Sequence, residues 1–139
     1  MNYLLDTCVL SEFTRRQPNV RVIDWLNSIE EEKLFISVIT IGEIQRGIEH
    51  LPDSHRKTEL LLWMNNELLT RFAERMITID ASMMFLWGSL FTRQEASGQK
   101  MGVMDSLILA SALQNNLIIA TRNVTDFLPS GVQVINPWE

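Results

Sequence analysis

Four acidic residues stand where a carboxylate could do chemistry: Asp6 in "YLLDTCVLSEF", Glu43 in "SVITIGEIQRGI", Asp105 in "MDSLILASAL" and Asp126 in "ATRNVTDF". Each has an ordinary reading when taken singly. An aspartate between a strand and a helix is commonly an N-cap, and Asp80 after "MITI" is expected to be one. Asp105 opens a helical pattern where a cap is common, and Asp126 could be a turn residue. Glu43 could be a solvated rim residue beside Gln45 and Arg46, although it also borders the apolar stripe of Val38, Ile41, Ile44 and Ile48. Gathered together, four carboxylates would repel one another unless protonated or neutralised. A hard divalent cation supplies that neutralisation, and all-oxygen ligation favours Mg2+ or Mn2+ over zinc. No CxxC, HExxH or Gly-rich phosphate loop competes, and His50 and His55 lie in a polar stretch that reads as solvated.

The elements that would have to gather these acids alternate along the chain. Short aliphatic runs at "YLL" (3–5), "LFIS" (34–37), "MITI" (76–79), "LIIA" (117–120) and "VQVI" (132–135) read as strands buried on both faces. Helical patterns separate them: 19–31 with Val22, Ile23, Trp25, Leu26 and Ile29, and 54–75 with Leu61, Leu68, Phe72 and Met76 on one stripe. A further helix starts at Asp80, and one runs from Asp105 to a stop at Asn115-Asn116. Strands separated by helices pair in parallel. The predicted class is therefore α/β, a three-layer α/β/α sandwich with a central, mostly parallel five-stranded sheet. In such sheets ligands bind at the carboxyl ends of the strands. Asp6 follows the first strand, and Thr121, Asn123 and Asp126 follow the fourth.

At 139 residues, with 46% hydrophobic and 21% charged residues, the chain reads as one globular domain over 1–139. No segment approaches the roughly 20 apolar residues that span a bilayer, and the start lacks a basic leader with a cleavage site. The lone Cys8 cannot form an internal disulfide and is read as a small packing residue. Together these features predict a cytoplasmic protein. A formal net charge of −5 by itself argues against a nucleic-acid binder, since phosphates are normally met by a basic surface.

The four segments, in order, resemble the PIN-domain ribonucleases, and within them the VapC toxins of bacterial toxin–antitoxin pairs with their FitB-like branch. "YLLDTCVLSEF" is similar to the family's opening "LDTNVLSE", "SVITIGEIQRGI" to its "S-x-x-T-x-x-E-x-x-x-G" helix, and "MDSLILASA" to its "D-x-x-I-A-A-T-A" helix. "LIIATRNVTDF" and "INPW" resemble its closing segment. Under this resemblance Asp6, Glu43 and Asp105 match the family's acidic metal-binding residues. Some members carry a fourth acid directly after "TR", where this chain has Asn123; others have it before the phenylalanine, here Asp126. Asp126 is ranked first, with Thr121 or Asn123 left to hold a metal-bound water. Cys8 replaces the family's asparagine, and Gly102 stands where proline is often found.

The resemblance implies the toxin of a type II pair, an endoribonuclease whose carboxylate-held Mg2+ or Mn2+ activates water against RNA phosphodiester bonds. The competing reading is a catalytically silent metal-binding α/β signalling or interaction module. Setting the four acids aside leaves a formal charge of −1, so bound cations would turn the active edge into a phosphate acceptor. Arg15, Arg16, Arg46, Arg93, Lys100 and Arg122 are candidates to line the RNA approach. Implied partners are RNA, with transfer RNA a family-level expectation, a cognate antitoxin, operator DNA only through that antitoxin, and a second copy of the chain in a homodimer. No membrane is implied.

Overall fold

A computed structural model describes residues 1–99 and 101–139. Five strands form one all-parallel sheet: β1 Tyr3–Leu5, β2 Leu34–Ser37, β3 Met76–Ile77, β4 Ile118–Ala120 and β5 Val134–Ile135, in the order β3-β2-β1-β4-β5. The chain builds outward from β1 to β2 and β3, then crosses to the other side for β4 and β5. Strand order therefore reverses between β1 and β4, where Leu5 sits opposite Ala120, and a crevice opens at the carboxyl ends of two such strands. The residues directly after them are Asp6 and Thr121.

Helices cover both faces: α1 Thr7–Ser11, α2 Val20–Ser28, α3 Val38–Glu49, α4 His55–Trp63, α5 Leu69–Arg71, α6 Ala81–Ala96, α7 Val103–Gln114 and α8 Val124–Phe127. Alternate residues of β1 feed two separate cores, as the two-residue period of a strand requires. Tyr3 and Leu5 pack with Val9, Leu10, Ile44, Met64, Leu68 and Phe72, whereas Leu4 packs with Ile108, Leu109, Ile119 and Phe127 on the other face. The sheet with two helical layers is the expected three-layer sandwich.

Several boundaries differ from the sequence expectation, for identifiable reasons. "MITI" pairs only at Met76 and Ile77; Thr78 and Ile79 are exposed as the chain leaves the edge for α6. "LIIA" begins its strand at Ile118 and "VQVI" pairs only at Val134 and Ile135. The expected helix over 19–31 stops at Ser28, with a 3-10 turn at Glu31–Lys33. The expected helix over 54–75 is interrupted by a π-helical turn at Met64–Leu68 and ends at Arg71. Beyond it, Arg71 grips Glu31 with Nε and Nη2 at 2.7–3.0 Å, and Arg75 donates to the Leu34 carbonyl and to Glu31, tying this end to the start of β2. Leu68 and Phe72 are core as read, while Leu61 and Met76 are half-buried.

Helix caps behave as the residue types dictate. Asp80 accepts from the Met83 N–H at 2.8 Å, and Asn116 ends α7 in the left-handed region at φ 55°. Gly102, not Asp105, is the N-cap of α7, its carbonyl accepting from the Ser106 N–H at 2.9 Å. Asp105 thus lies inside the first turn, with its carboxylate released from capping.

Leu5 is fully buried immediately before Asp6. Leu5→Ala is expected to cost about 2–5 kcal/mol, read as a lower midpoint in urea unfolding followed by circular dichroism.

Candidate active site

Asp6 is 5% exposed and acts both as a cap and as a member of a cluster. Its Oδ1 accepts from the Thr7 N–H at 2.9 Å, starting α1. Its Oδ2 accepts from the Thr121 hydroxyl at 2.8 Å, a bond that crosses the β1–β4 switch point. Backbone bonds fix both ends of this pair: Asp6 N–H donates to Ala120 O and Thr121 N–H to Ile135 O, each at 3.0 Å. Burial pushes the Asp6 carboxyl above its ordinary range; the bonds from Thr121 and Thr7 pull it down, and the charge of Asp126 raises it again.

The other acids arrive from different elements. Glu43 projects from α3, half-buried, and its Oε1 accepts from the Thr7 hydroxyl at 2.8 Å. Ser37 caps that helix by accepting from Ile39 N–H, so the end of β2 sets the phase that brings Glu43 to Thr7. Asp105 projects from the first turn of α7, and its carboxyl is pushed up to about 6 by burial first, then by the charges of Asp6, Glu43 and Asp126. Asp126 lies in the first turn of α8, exposed. Four elements far apart in sequence therefore carry these acids, and Asp105 feels the charge of all three of the others.

The remaining candidates fall into distinct positions. Thr121 is fully buried and gives its hydroxyl proton to Asp6. Asn123 is exposed; its backbone N–H donates to Thr121 Oγ1 at 3.1 Å. Arg46 borders, with Glu43, Thr7, Ile79 and Met104, a recess of about 690 Å3 beside the acids. Arg15 is committed to the buried Glu12 at 3.0 Å, Arg93 donates to Ser89 O at 3.3 Å, and Arg122 lies 4.8 Å from the Trp138 ring centroid. Lys100 lies outside the described residues. Thr7, not singled out by sequence, supports Glu43, and Cys8, read from sequence as a packing residue, has its sulfur 3.6 Å from Thr121 Oγ1. A hydroxyl directly after Asp6 was the available signal for Thr7.

Carboxylates supported by threonine hydroxyls are the donor chemistry that a hard cation takes, and Asp105 is raised by burial and then by the charges of the other three acids. Among the described residues no three His, Cys, Asp or Glu side chains are drawn close enough to hold an ion as they stand.

The PIN domain family model matches residues 3–127. The plasmid stability protein StbB of Pseudomonas syringae pv. tomato is 38% identical over 136 residues, covering 98% of both chains. Toxin FitB of Neisseria gonorrhoeae is 34% identical, covering 97% of both. The VapC ribonuclease Y4jK of Sinorhizobium fredii is 31% identical over 98% of this chain and 97% of its own. The solved structure of FitAB bound to an IR36 DNA fragment matches with a TM-score of 0.92 at 34% identity, over 99% of this chain and 96% of that one.

The raised Asp105 sets a stability expectation for the chain in chelator. Folding holds the proton of Asp105 more tightly than the unfolded chain does, so its contribution to stability is lost as pH rises from the ordinary carboxylate range through about 6. Asp105→Asn should therefore raise the melting temperature at pH 8, and the gain should shrink toward pH 4. Equal melting temperatures at pH 8 would contradict the burial and repulsion that raise Asp105.

Proposed function

The chain belongs to the PIN-domain family, and on that premise we propose that it is the toxin of a type II toxin–antitoxin pair, acting as a divalent-metal-dependent endoribonuclease on RNA phosphodiester bonds. The observation that carries this reading is the carboxyl of Asp105, raised by burial first and then by the charges of Asp6, Glu43 and Asp126, beside a switch point where Asp6 directly follows β1. Similarity to a FitB toxin and to a VapC ribonuclease supports the activity.

In this reading the four carboxylates hold Mg2+ or Mn2+, which when bound supplies a Lewis acid that acidifies water and offsets charge on the phosphate. The chain's own groups do the positioning. Thr121 and the Thr7 N–H fix both oxygens of the buried Asp6, and the Thr7 hydroxyl orients Glu43. Asp105 and Asp126, whose carboxylates accept no hydrogen bond among the described residues, are free to reorient toward a cation. Arg46 at the lip of the adjoining recess is placed to meet a phosphate of the incoming RNA.

The partners follow from surface chemistry and from the relatives. The structure of FitAB on DNA supports a cognate antitoxin that also carries DNA binding. A recess bordered by Phe13, Thr14, Leu60 and Trp63 adjoins a second one that reaches Thr7 and Glu43 through Thr14, Leu60 and Trp63. Such a trough suits an amphipathic segment laid toward the acids. Phe85 (81%), Val103 and Met104 are exposed apolar side chains on α6 and α7 that a second copy of the chain would cover.

Purified wild type is expected to cleave structured RNA with Mn2+ or Mg2+, and Asp6→Asn or Asp105→Asn to fall to the level seen in excess chelator. Cleavage retained by both variants would overturn the mechanism and favour a silent binding module. The same ion should raise stability by about 2.7 kcal/mol at a concentration 100 times its dissociation constant, measured by thermal melting.

A further inference from the structure

Thr121 has more neighbours than its single hydroxyl proton can serve. A threonine hydroxyl offers one proton and two acceptor lone pairs, and three polar atoms surround this one: Asp6 Oδ2 at 2.8 Å, Asn123 N at 3.1 Å and Cys8 Sγ at 3.6 Å. An ionised carboxylate only accepts, so the Thr121 proton goes to Asp6. A backbone N–H only donates, so Asn123 fills one lone pair. The sulfur faces the other lone pair, and only a donated S–H satisfies both partners there.

We propose that Cys8 is a positioning residue for Asp6, acting through Thr121: its S–H donates to Thr121 Oγ1 and so locks the Thr121 hydroxyl toward Asp6 Oδ2. The inference rests on the metal reading above, since its consequence is the geometry in which Asp6 meets a cation. With both lone pairs of Thr121 occupied, the hydroxyl has one direction left for its proton. Remove the thiol, and the fully buried Thr121 oxygen keeps an empty lone pair and a second rotamer.

Cys8 is the only cysteine of the chain, so its S–H stretching band in the infrared reports on this bond alone. The band is expected at the lowered frequency of a donating thiol in wild type and in Thr121→Ser, and to move up in Thr121→Val. An unmoved band in Thr121→Val would overturn the donor assignment.

Mn2+ binding, followed by thermal shift without RNA, reads the consequence. Cys8→Ala is expected to weaken Mn2+ by about tenfold, the lower end of what groups that orient metal ligands contribute, and Cys8→Ser, which keeps a donor, to recover most of it. Wild-type affinity in Cys8→Ala, or Cys8→Ser as weak as Cys8→Ala, would overturn the role of Cys8 while leaving the metal reading intact. A wild type that takes up no Mn2+ would overturn both.

Discussion

The structure turns on one hydrogen bond, from the Thr121 hydroxyl to the buried carboxylate of Asp6 at 2.8 Å. These residues are far apart in sequence but follow adjacent strands at the point where the order of the sheet reverses. A carboxylate so deeply buried is costly without hydrogen bonds to its oxygens, and Asp6 has one on each. The strand pairing supplies this arrangement. Leu5 and Ala120 lie in register, so the two residues that follow them meet by construction, and the backbone bonds from Asp6 and Thr121 prevent either from drifting.

Around that fixed point the fold places charges that oppose its own stability. Glu43 is steered by a helix whose cap is the last residue of β2, and Asp105 by a helix capped by Gly102. Freed from capping, Asp105 contributes repulsion that a cation would convert into attraction. The two apolar cores on either side of the sheet, with Leu5, Phe72, Ile108 and Phe127 fully buried, provide the stability that tolerates this arrangement. An acidic chain is compatible with the proposed polyanionic substrate, since four of its acids would be neutralised by bound ions, and Arg46 lines the same recess as Glu43.

Much of this was legible in the sequence because aliphatic runs and helical stripes alternate cleanly; every strand was located, and the class followed from their separation by helices. The carboxylates stood out because three of them occupy strand or helix ends. What the sequence concealed depends on tertiary geometry. The edge strand β3 is shorter than "MITI" suggests because pairing stops at Ile77. The π-helical turn at Met64–Leu68 inserts an extra residue without any proline or glycine to announce it. Asp105 resembled a cap because aspartate is favoured there, yet the cap falls three residues earlier on Gly102. Thr7 and Cys8 gain their roles only when β1 and α3 or β4 meet, which local pattern does not reveal.

Whether these acids form one cation site is read from Mn2+ uptake followed by electron paramagnetic resonance, in which bound ion loses the sharp signal of free ion. Wild type is expected to deplete the free signal and the double variant Asp6→Asn/Asp105→Asn to leave it untouched. Equal uptake by both chains, or none by wild type, would contradict such a site.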